Sequence, residues 1–510
     1  MQRKLSAALG CLVLLGLLGT PIPAVGTSRK VLVVAVPTEP AHLDPSEHMG
    51  IQHDFNYHIY RKLYSFTPEM RPEPDLVAAE HVSRDLRTWT LQLKRNVTFF
   101  DGTPVNAAAV KYSIDRMLEP RRSAQMAVLF QPIKEVRVKG DHVVEIETKE
   151  PFASLKHNLA HPNAGIISPA ADREMGPRFG RAPVSAGPYM VGEWVRGDRI
   201  ALTRFEGYQG PRPYYDQLVF RVIPAPETRL AMVERDEAQV AIRMPPTLTR
   251  VAARNPDLRV IRLEGTALYY MWLNLDAPPT NDMRVRRALN LAVDRAALME
   301  RIALGAASPA HTVMEKIIRY SCPVGTLTYD PGEARRLLSE AGVTGHRLKV
   351  LAGEGQWELD RQVAEAVTGY LREAGVATEL RLIADPAAYR ESMGKRDAHM
   401  ALVAWPGSTA DPDHYLKRQL WGQIARQPWN FAGYRNPRVD ALIEEGARTF
   451  SEPDRARIYC EIQRLVWNDW PWLILYRLDG AAFTRAEVTG VDVYINSQAH
   501  VFTRARAASK

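Results

Sequence analysis

Hydrophobic positions along the chain fall into short runs separated by polar turns. Lys30-Val31-Leu32-Val33-Val34-Ala35-Val36 is nearly all apolar and is closed by Pro37, which predicts a buried strand. Residues 38 to 60 read as a loop and the start of a helix. Trp89-Thr90-Leu91-Gln92-Leu93 alternates and predicts a half-buried strand. Val105 to Leu118 has helical spacing after a turn at Asp101-Gly102, and Lys134 to Thr148 predicts a hairpin turning at Gly140-Asp141. After the turn-rich stretch Pro183 to Pro188, strands are expected at Tyr189 to Trp194, Arg199 to Phe205 and Leu218 to Ile223. A helix from Glu227 follows, then strands at Leu258 to Leu263 and Tyr269 to Leu275.

The second half is marked more sharply. Val285, Ala288, Leu289, Ala292 and Val293 form one apolar helix face after Asn281-Asp282. Asp330-Pro331-Gly332-Glu333 supplies a cap, an N1 proline and a capping-box acid before Ala334 to Ala341, and Gly342 ends that helix. Strand and helix then alternate: strand 348–352, helix 359–373, strand 378–383, helix 386–393, strand 400–405. This order predicts an α/β unit with a mostly parallel sheet and helices on both faces. Asn436-Pro437 and Ser451-Glu452-Pro453 start two more helices, and Leu473 to Tyr476 is a late strand. One α/β unit thus begins near residue 28 and is interrupted, and a second occupies about 281 to 475. The late strand and tail can return to the first unit, giving a two-lobed body with a cleft, where ligands commonly sit.

Composition agrees with a large core. The 510 residues are 46% hydrophobic and 24% charged, and the length suggests about three domains. A net charge of +8, mixed along the chain, excludes a dedicated basic tail for nucleic acid. At the start, Arg3 and Lys4 precede the apolar run Leu5 to Leu18, and Ala24-Val25-Gly26 supplies small residues. This pattern reads as a secretory signal peptide over residues 1 to 26, cleaved near Gly26. The run is about 14 residues, short of the roughly 20 that a membrane span needs. Cys11 lies inside that run, not after it, which disfavours lipidation there. The expected location is periplasmic or extracytoplasmic. Cys322 and Cys460 remain in the mature chain, as a disulfide or as two buried thiols; a bridge would add roughly 4 to 5 kcal/mol by closing a long loop.

The sequence carries no Gly-x-Ser-x-Gly elbow, His-Glu-x-x-His helix or Walker A loop, and no Gly-x-Gly-x-x-Gly follows the first strand. No catalytic residue, metal site or cofactor is therefore assigned. His157 and His161 lie four apart and could share a helix face. With no third ligand near them in sequence, they read as a solvated pair. His42, His48, His53 and His58 show no ligand spacing.

Six stretches, in a shared order over roughly residues 30 to 480, resemble the family 5 extracellular solute-binding proteins of ABC importers, the dipeptide, oligopeptide and nickel binders. They are Leu43-Asp44-Pro45; Trp89 through Phe100-Asp101-Gly102-Thr103-Pro104; Gly187-Pro188-Tyr189; Asn274 with Val285-Arg286-Arg287-Ala288-Leu289 and Asp294-Arg295; Tyr329-Asp330-Pro331 with Ala341-Gly342; and Trp405 with Asp411-Pro412. The resemblance implies a type II periplasmic-binding-protein-like α/β fold, two-lobed, with an additional α+β domain inserted in the first lobe. Lobe I would combine 28–60, 186–280 and 476–510, the extra domain 61–185, and the last lobe 281–475, with crossings near 280 and 475. It implies a non-enzymatic monomer that captures a small-molecule or peptide solute by hinge closure and delivers it to membrane permease subunits. A sensor partner or folding helper without transport, or a secreted hydrolase, are the alternatives.

The resemblance also suggests which residues line the cleft: Glu39 and Ala41 after the first strand, Tyr269, Tyr270 and Trp272, then Glu354, Gln356 and Trp357, and finally Trp405 and Ser408. Aromatic walls supply contact area with polar handles. Asp411 reads as mainly structural. Peptide binders of the family hold the peptide ammonium with an Asp where this chain has Ser408, and dipeptide binders carry an Arg where it has Glu354. Both departures disfavour a free dipeptide. A buried Glu39 or Glu354 would favour a cationic or hydroxyl-rich solute.

Overall fold

A computed structural model describes residues 29–46, 51–119, 127–343, 346–405, 409–422, 430–494 and 499–508. The signal segment with Cys11, His48 and Ser408 lie outside the described residues. In chain order the elements that frame the site are β1 (Val31–Val36), α1 (His53–Ile59), β2 (Val77–Val82), β3 (Thr88–Leu93), α2 (Ala107–Leu118), β4 (Ile133–Gly140), β5 (Val143–Thr148), α3 (Leu155–Leu159), β6 (Tyr189–Val195), β7 (Arg199–Arg204), β8 (Gln217–Val222), α4 (Pro226–Glu234), β9 (Val240–Ala241), β10 (Leu258–Leu273), α5 (Met283–Leu291), α6 (Pro331–Glu340), β11 (Arg347–Gly353), α7 (Asp360–Glu373), β12 (Ala377–Ile383), α8 (Pro386–Lys395), β13 (Met400–Trp405), α9 (Pro412–Leu420), α10 (Pro437–Arg448), α11 (Glu452–Asp469) and β14 (Trp472–Arg485).

One mixed eleven-stranded sheet runs through the molecule in the order β12-β11-β13-β10-β14-β9-β1-β8-β7-β6, with Ala307–Ser308 pairing off this path on β14. β1 is buried because apolar groups cover both of its faces. Leu32, Val34 and Val36 pack with Phe55, Tyr189 and Phe220, while Ala35 packs with Val233 and Phe483. β1 pairs in parallel with β8 and β9, and α4 makes the crossover between those two. At the other end β11 pairs in parallel with β12 and β13. The alternating stretch folds as expected there.

The two halves of this sheet are joined by β10 and β14, an antiparallel pair of 16 and 14 residues. Leu258–Leu263 pairs with Gly480–Arg485, and Ala267–Trp272 pairs with Trp472–Leu478. The register slips between Leu263 and Ala267, where Gly265 adopts φ 63°. The two strands expected from the sequence are therefore one, and the late strand is the start of a longer one. Leu268–Leu273 also pairs with Met400–Trp405 of β13. The change of neighbours falls near 264–266, earlier than the crossing expected at 280, so Tyr269, Tyr270 and Trp272 pair with strands of the second α/β unit.

Residues 61–185 carry a separate antiparallel sheet, β2-β3-β5-β4, with α2 packed against it. Most stretches that carried the family resemblance act as scaffold. Asp44 accepts from Arg116 of α2, which also grips Asp172, tying the loop after β1 to this region. Asp101 accepts from Thr103 and Ser168, closing the turn at Gly102. Arg295 donates to the backbone carbonyl of Ile474, fixing α5's continuation to β14. Asp330 caps α6 by accepting from the Glu333 N–H. Cys322 and Cys460 are bridged, joining the segment before α6 to α11.

Candidate functional site

The residues expected to line the cleft are placed in four settings. Glu39 follows β1 and is held by the 194–197 turn. Its carboxylate accepts from Trp194 Nε1 at 2.7 Å and from the Gly197 N–H at 3.2 Å, and Arg196 lies 3.3 Å away. Burial alone would raise its pKa, but these partners hold it below the usual range. Arg196 also donates to the carbonyl of Ala41 at 2.7 Å. Tyr269 and Tyr270, being adjacent on β10, point to opposite faces. Tyr269 stacks on Tyr476 and donates to the Glu358 carbonyl at 2.9 Å. Tyr270 and Trp272 pack on the other side with Trp472 and Tyr415, and the Tyr270 hydroxyl donates to Gln419.

The loop after β11 is organised by Asp360, whose carboxylate accepts from the N–H groups of Gly355, Gln356 and Trp357. The Gln356 amide donates to the Ala384 carbonyl, and Trp357 packs against the core. Glu354 is at the surface, paired with Arg361, each side chain 45% exposed. Trp405 ends β13, with the Arg418 guanidinium 5.3 Å above its ring and Tyr415 edge-on.

Around Arg418 the structure assembles a cluster that the sequence did not reveal. Asp411 caps α9 by accepting from the Asp413 N–H, with Pro412 at the first turn. The next residues put His414 and Arg418 one turn apart on one buried face. Facing them is His161, just past α3. It is fully buried, with the charges of His53, His414, Lys62 and Arg418 all acting on it. The expectation of a solvated His157–His161 pair is thus corrected, since both rings are buried. The reason is that α3 packs inward, with Leu155 and Leu159 in the core. His53 comes from α1, whose seven residues are all buried. Its Nε2–H donates to Asn163 Oδ1 at 2.7 Å, since the Asn163 amide already donates to the Pro45 carbonyl. The Asn163 N–H in turn donates to His161 Nδ1 at 3.1 Å. His161 is therefore the neutral tautomer with its proton on Nε2, and that N–H has no hydrogen-bond partner.

Lys62 completes the cluster. It is 1% exposed, and its Nζ lies 5.0 Å from the Tyr57 ring centroid without an ion pair among the described residues. Burial, helped by Arg61 and opposed by Asp75, pushes its pKa down to about 8. Burial also lowers Arg418 to about 9, and burial with the Arg418 charge lowers His414 to about 3. Side chains far apart in sequence thus meet here: the His53 and His161 rings lie 5.2 Å apart edge to face, and the charges of Lys62 and Arg418 both act on His161. Arg61 and Lys62 stand side by side between Ile59-Tyr60 and Leu63-Tyr64, and charges flanked so closely by apolar residues were the one local signal of burial. Among the described residues no group of three or more His, Cys, Asp or Glu could hold a metal ion. No described helix is long and apolar enough to cross a membrane.

Known proteins are similar to this chain over nearly its whole length. The family model for bacterial extracellular solute-binding proteins, family 5, matches residues 71–424. The glutathione-binding protein GsiB of Pectobacterium atrosepticum is 30% identical over 483 residues, 93% of each chain. Among solved structures, NikA from Brucella suis in complex with Fe(III)-EDTA superposes with a TM-score of 0.84 at 23% identity, covering 94% of this chain and 99% of its own. DppA from Helicobacter pylori, in complex with the peptide STSA, gives 0.83 at 21% identity with the same coverage. The chain belongs to the bacterial extracellular solute-binding proteins of family 5.

Proposed function

We propose that the exported chain, freed of residues 1–26, captures a small peptide-like solute in the periplasm and delivers it to the permease subunits of an ABC importer as a monomer. The observation that carries this reading is the match to the family 5 solute-binding model over residues 71–424, with a glutathione-binding relative aligned over 93% of each chain. The glutathione-binding relatives support a peptide-like solute.

In this reading 28–60, 186–280 and 476–510 form lobe I, 61–185 the extra domain and 281–475 the last lobe, with the second half of β10 moving with the last. Closure brings the lobes together around the solute, which selects the closed state only by binding it better. Trp405 beneath Arg418 is a wall of the site, with Tyr269, Tyr270, Trp272, Gln356, Trp357, Ser408, Glu39 and Ala41 as further contacts to be tested. Glu354, exposed and paired with Arg361, lends no support to a cationic solute.

Native mass spectrometry on gently purified protein tests the reading. An added mass of a small peptide, lost on denaturation, is the expected result. Saturation by a sugar or a metal chelate, with no peptide bound at any concentration, would overturn it.

A further inference from the structure

We infer that a cavity between the 61–185 region and the loop after β7 is a second binding site, and that it takes a phosphate-bearing group. The cavity has a volume of about 630 Å³, and its walls include Arg61, Asp75, Lys94, Arg95, Tyr208 and Gln209. None of the residues expected in the cleft lines it. Its charged walls are three cations and one carboxylate, and the carboxylate is already engaged. Asp75 Oδ1 accepts from Arg61 Nε at 2.8 Å, and Oδ2 accepts from the Lys62 N–H at 2.9 Å and from the Ser65 hydroxyl at 3.3 Å. These bonds fix Arg61, which is 7% exposed, with its guanidinium 5.9 Å from the Tyr208 ring centroid. Lys94 and Arg95 follow β3, are exposed, and have no ion pair among the described residues. Gln209 donates to the Asn96 carbonyl, which ties the loop after β7 to the segment that carries both cations. With Asp75 offset by Arg61, the cavity keeps two uncompensated positive charges, Lys94 and Arg95, on a braced wall. A phosphate monoester carries about −1.5 to −2 charge at pH 7 and three strong acceptor oxygens, so it matches both cations at once. A single carboxylate would leave one of them unbalanced. Guanidinium and ammonium groups form charge-assisted hydrogen bonds with phosphate oxygens, which are stronger than those between neutral groups. The phosphate can belong to a soluble ester or to a lipid headgroup.

Isothermal titration of the mature protein with glycerol phosphate and with succinate, and co-sedimentation with phosphatidylcholine vesicles with and without phosphatidic acid, test it. Saturable binding of glycerol phosphate is the result expected for a soluble source. Sedimentation only with the vesicles that contain phosphatidic acid is the result expected for a lipid source. The double variant Lys94→Gln, Arg95→Gln changes two exposed side chains, so its thermal unfolding should match that of the unmutated protein. It should weaken whichever binding is seen by at least about tenfold, the loss expected when charged donors are removed, and should leave peptide capture unchanged. Succinate brings two negative charges without a phosphate. Succinate binding as tightly as glycerol phosphate would overturn the phosphate assignment. Binding unchanged in the double variant, or no binding of glycerol phosphate or of either vesicle, would overturn the site itself.

Discussion

Arg455 grips both oxygens of Asp411, at 2.9 and 3.0 Å, and the same guanidinium donates to the Ser154 hydroxyl at 3.0 Å. One buried carboxylate thereby caps α9, holds α11 and fastens α3's entry from the 61–185 region. Burial would raise its pKa, but Arg455, His157 and Ser154 hold Asp411 far below the carboxylate range.

Asp411→Asn should therefore be strongly destabilising. It leaves Arg455 buried beside a neutral group, a change that costs about 3–5 kcal/mol in such pairs. Urea unfolding at pH 7 measures this. A loss below about 1 kcal/mol would show that the pair contributes little.

Stability should fall in acid through His58. Its Nδ1–H donates to the Asp54 carbonyl at 2.7 Å, and its Nε2 accepts the Phe502 N–H at 2.9 Å, so the ring must be neutral. Burial, opposed by Asp54 and aided by Lys62, lowers its pKa from 6.5 to about 4. The folded state binds fewer protons than the unfolded one between those values. Its contribution is present above pH 6.5 and is lost as pH falls toward 4, by on the order of 3 kcal/mol. His157, lowered to about 4 by burial, acts in the same direction. Unfolding curves at pH 7, 5.5 and 4.5 should show a shallower decline for His58→Gln than for the unmutated protein.

Glu315 has the opposite sign. It is fully buried, and neither carboxylate oxygen reaches a hydrogen-bond donor. Burial raises its pKa to about 8, against weaker pulls from its own N–H, Arg477 and the Leu268 N–H. The folded state holds the extra proton, so stability is lost as pH rises from 4.5 to about 8 and levels off above that. Glu315→Gln removes that loss. The variant should match the unmutated protein near pH 4.5 and exceed it at pH 8.5 by on the order of 4 kcal/mol. Equal stability at both pH values would refute the assignment.

Gly187 is required by closeness. A Cβ there would sit 2.3 Å from the Ile59 carbonyl oxygen, where Gly187 N–H already bonds at 3.0 Å. Gly187→Ala should cost about 1–3 kcal/mol by overpacking and displace the end of α1. Because α1 leads from the loop after β1 into the 61–185 region, closure and solute affinity should fall with stability. Thermal unfolding and titration on one sample check both.

Much of the frame was legible because its signals are local. Asp330, Asp282 and Asn436 cap helices within three residues of themselves, and Asp101 closes a turn two residues on. Such pairings leave a pattern in any single sequence. The alternation from 347 to 405 also survives, because each strand and helix is short and punctuated. The long β10 was split, since Glu264-Gly265-Thr266 breaks the apolar run where the register slips. The site was not legible for a different reason. His53 shares no period with His161 and Asn163, and only the closing of the fold brings their side chains together. Tyr269 and Tyr270 show the same limit. The resemblance named both, but adjacent strand residues face opposite sides.

Small-angle X-ray scattering of the mature protein, with and without saturating glutathione, tests the central claim most directly. Capture by closure predicts a single saturable contraction in radius of gyration that tracks the binding heat. An unchanged profile at concentrations that saturate binding, or no binding at all, would contradict it.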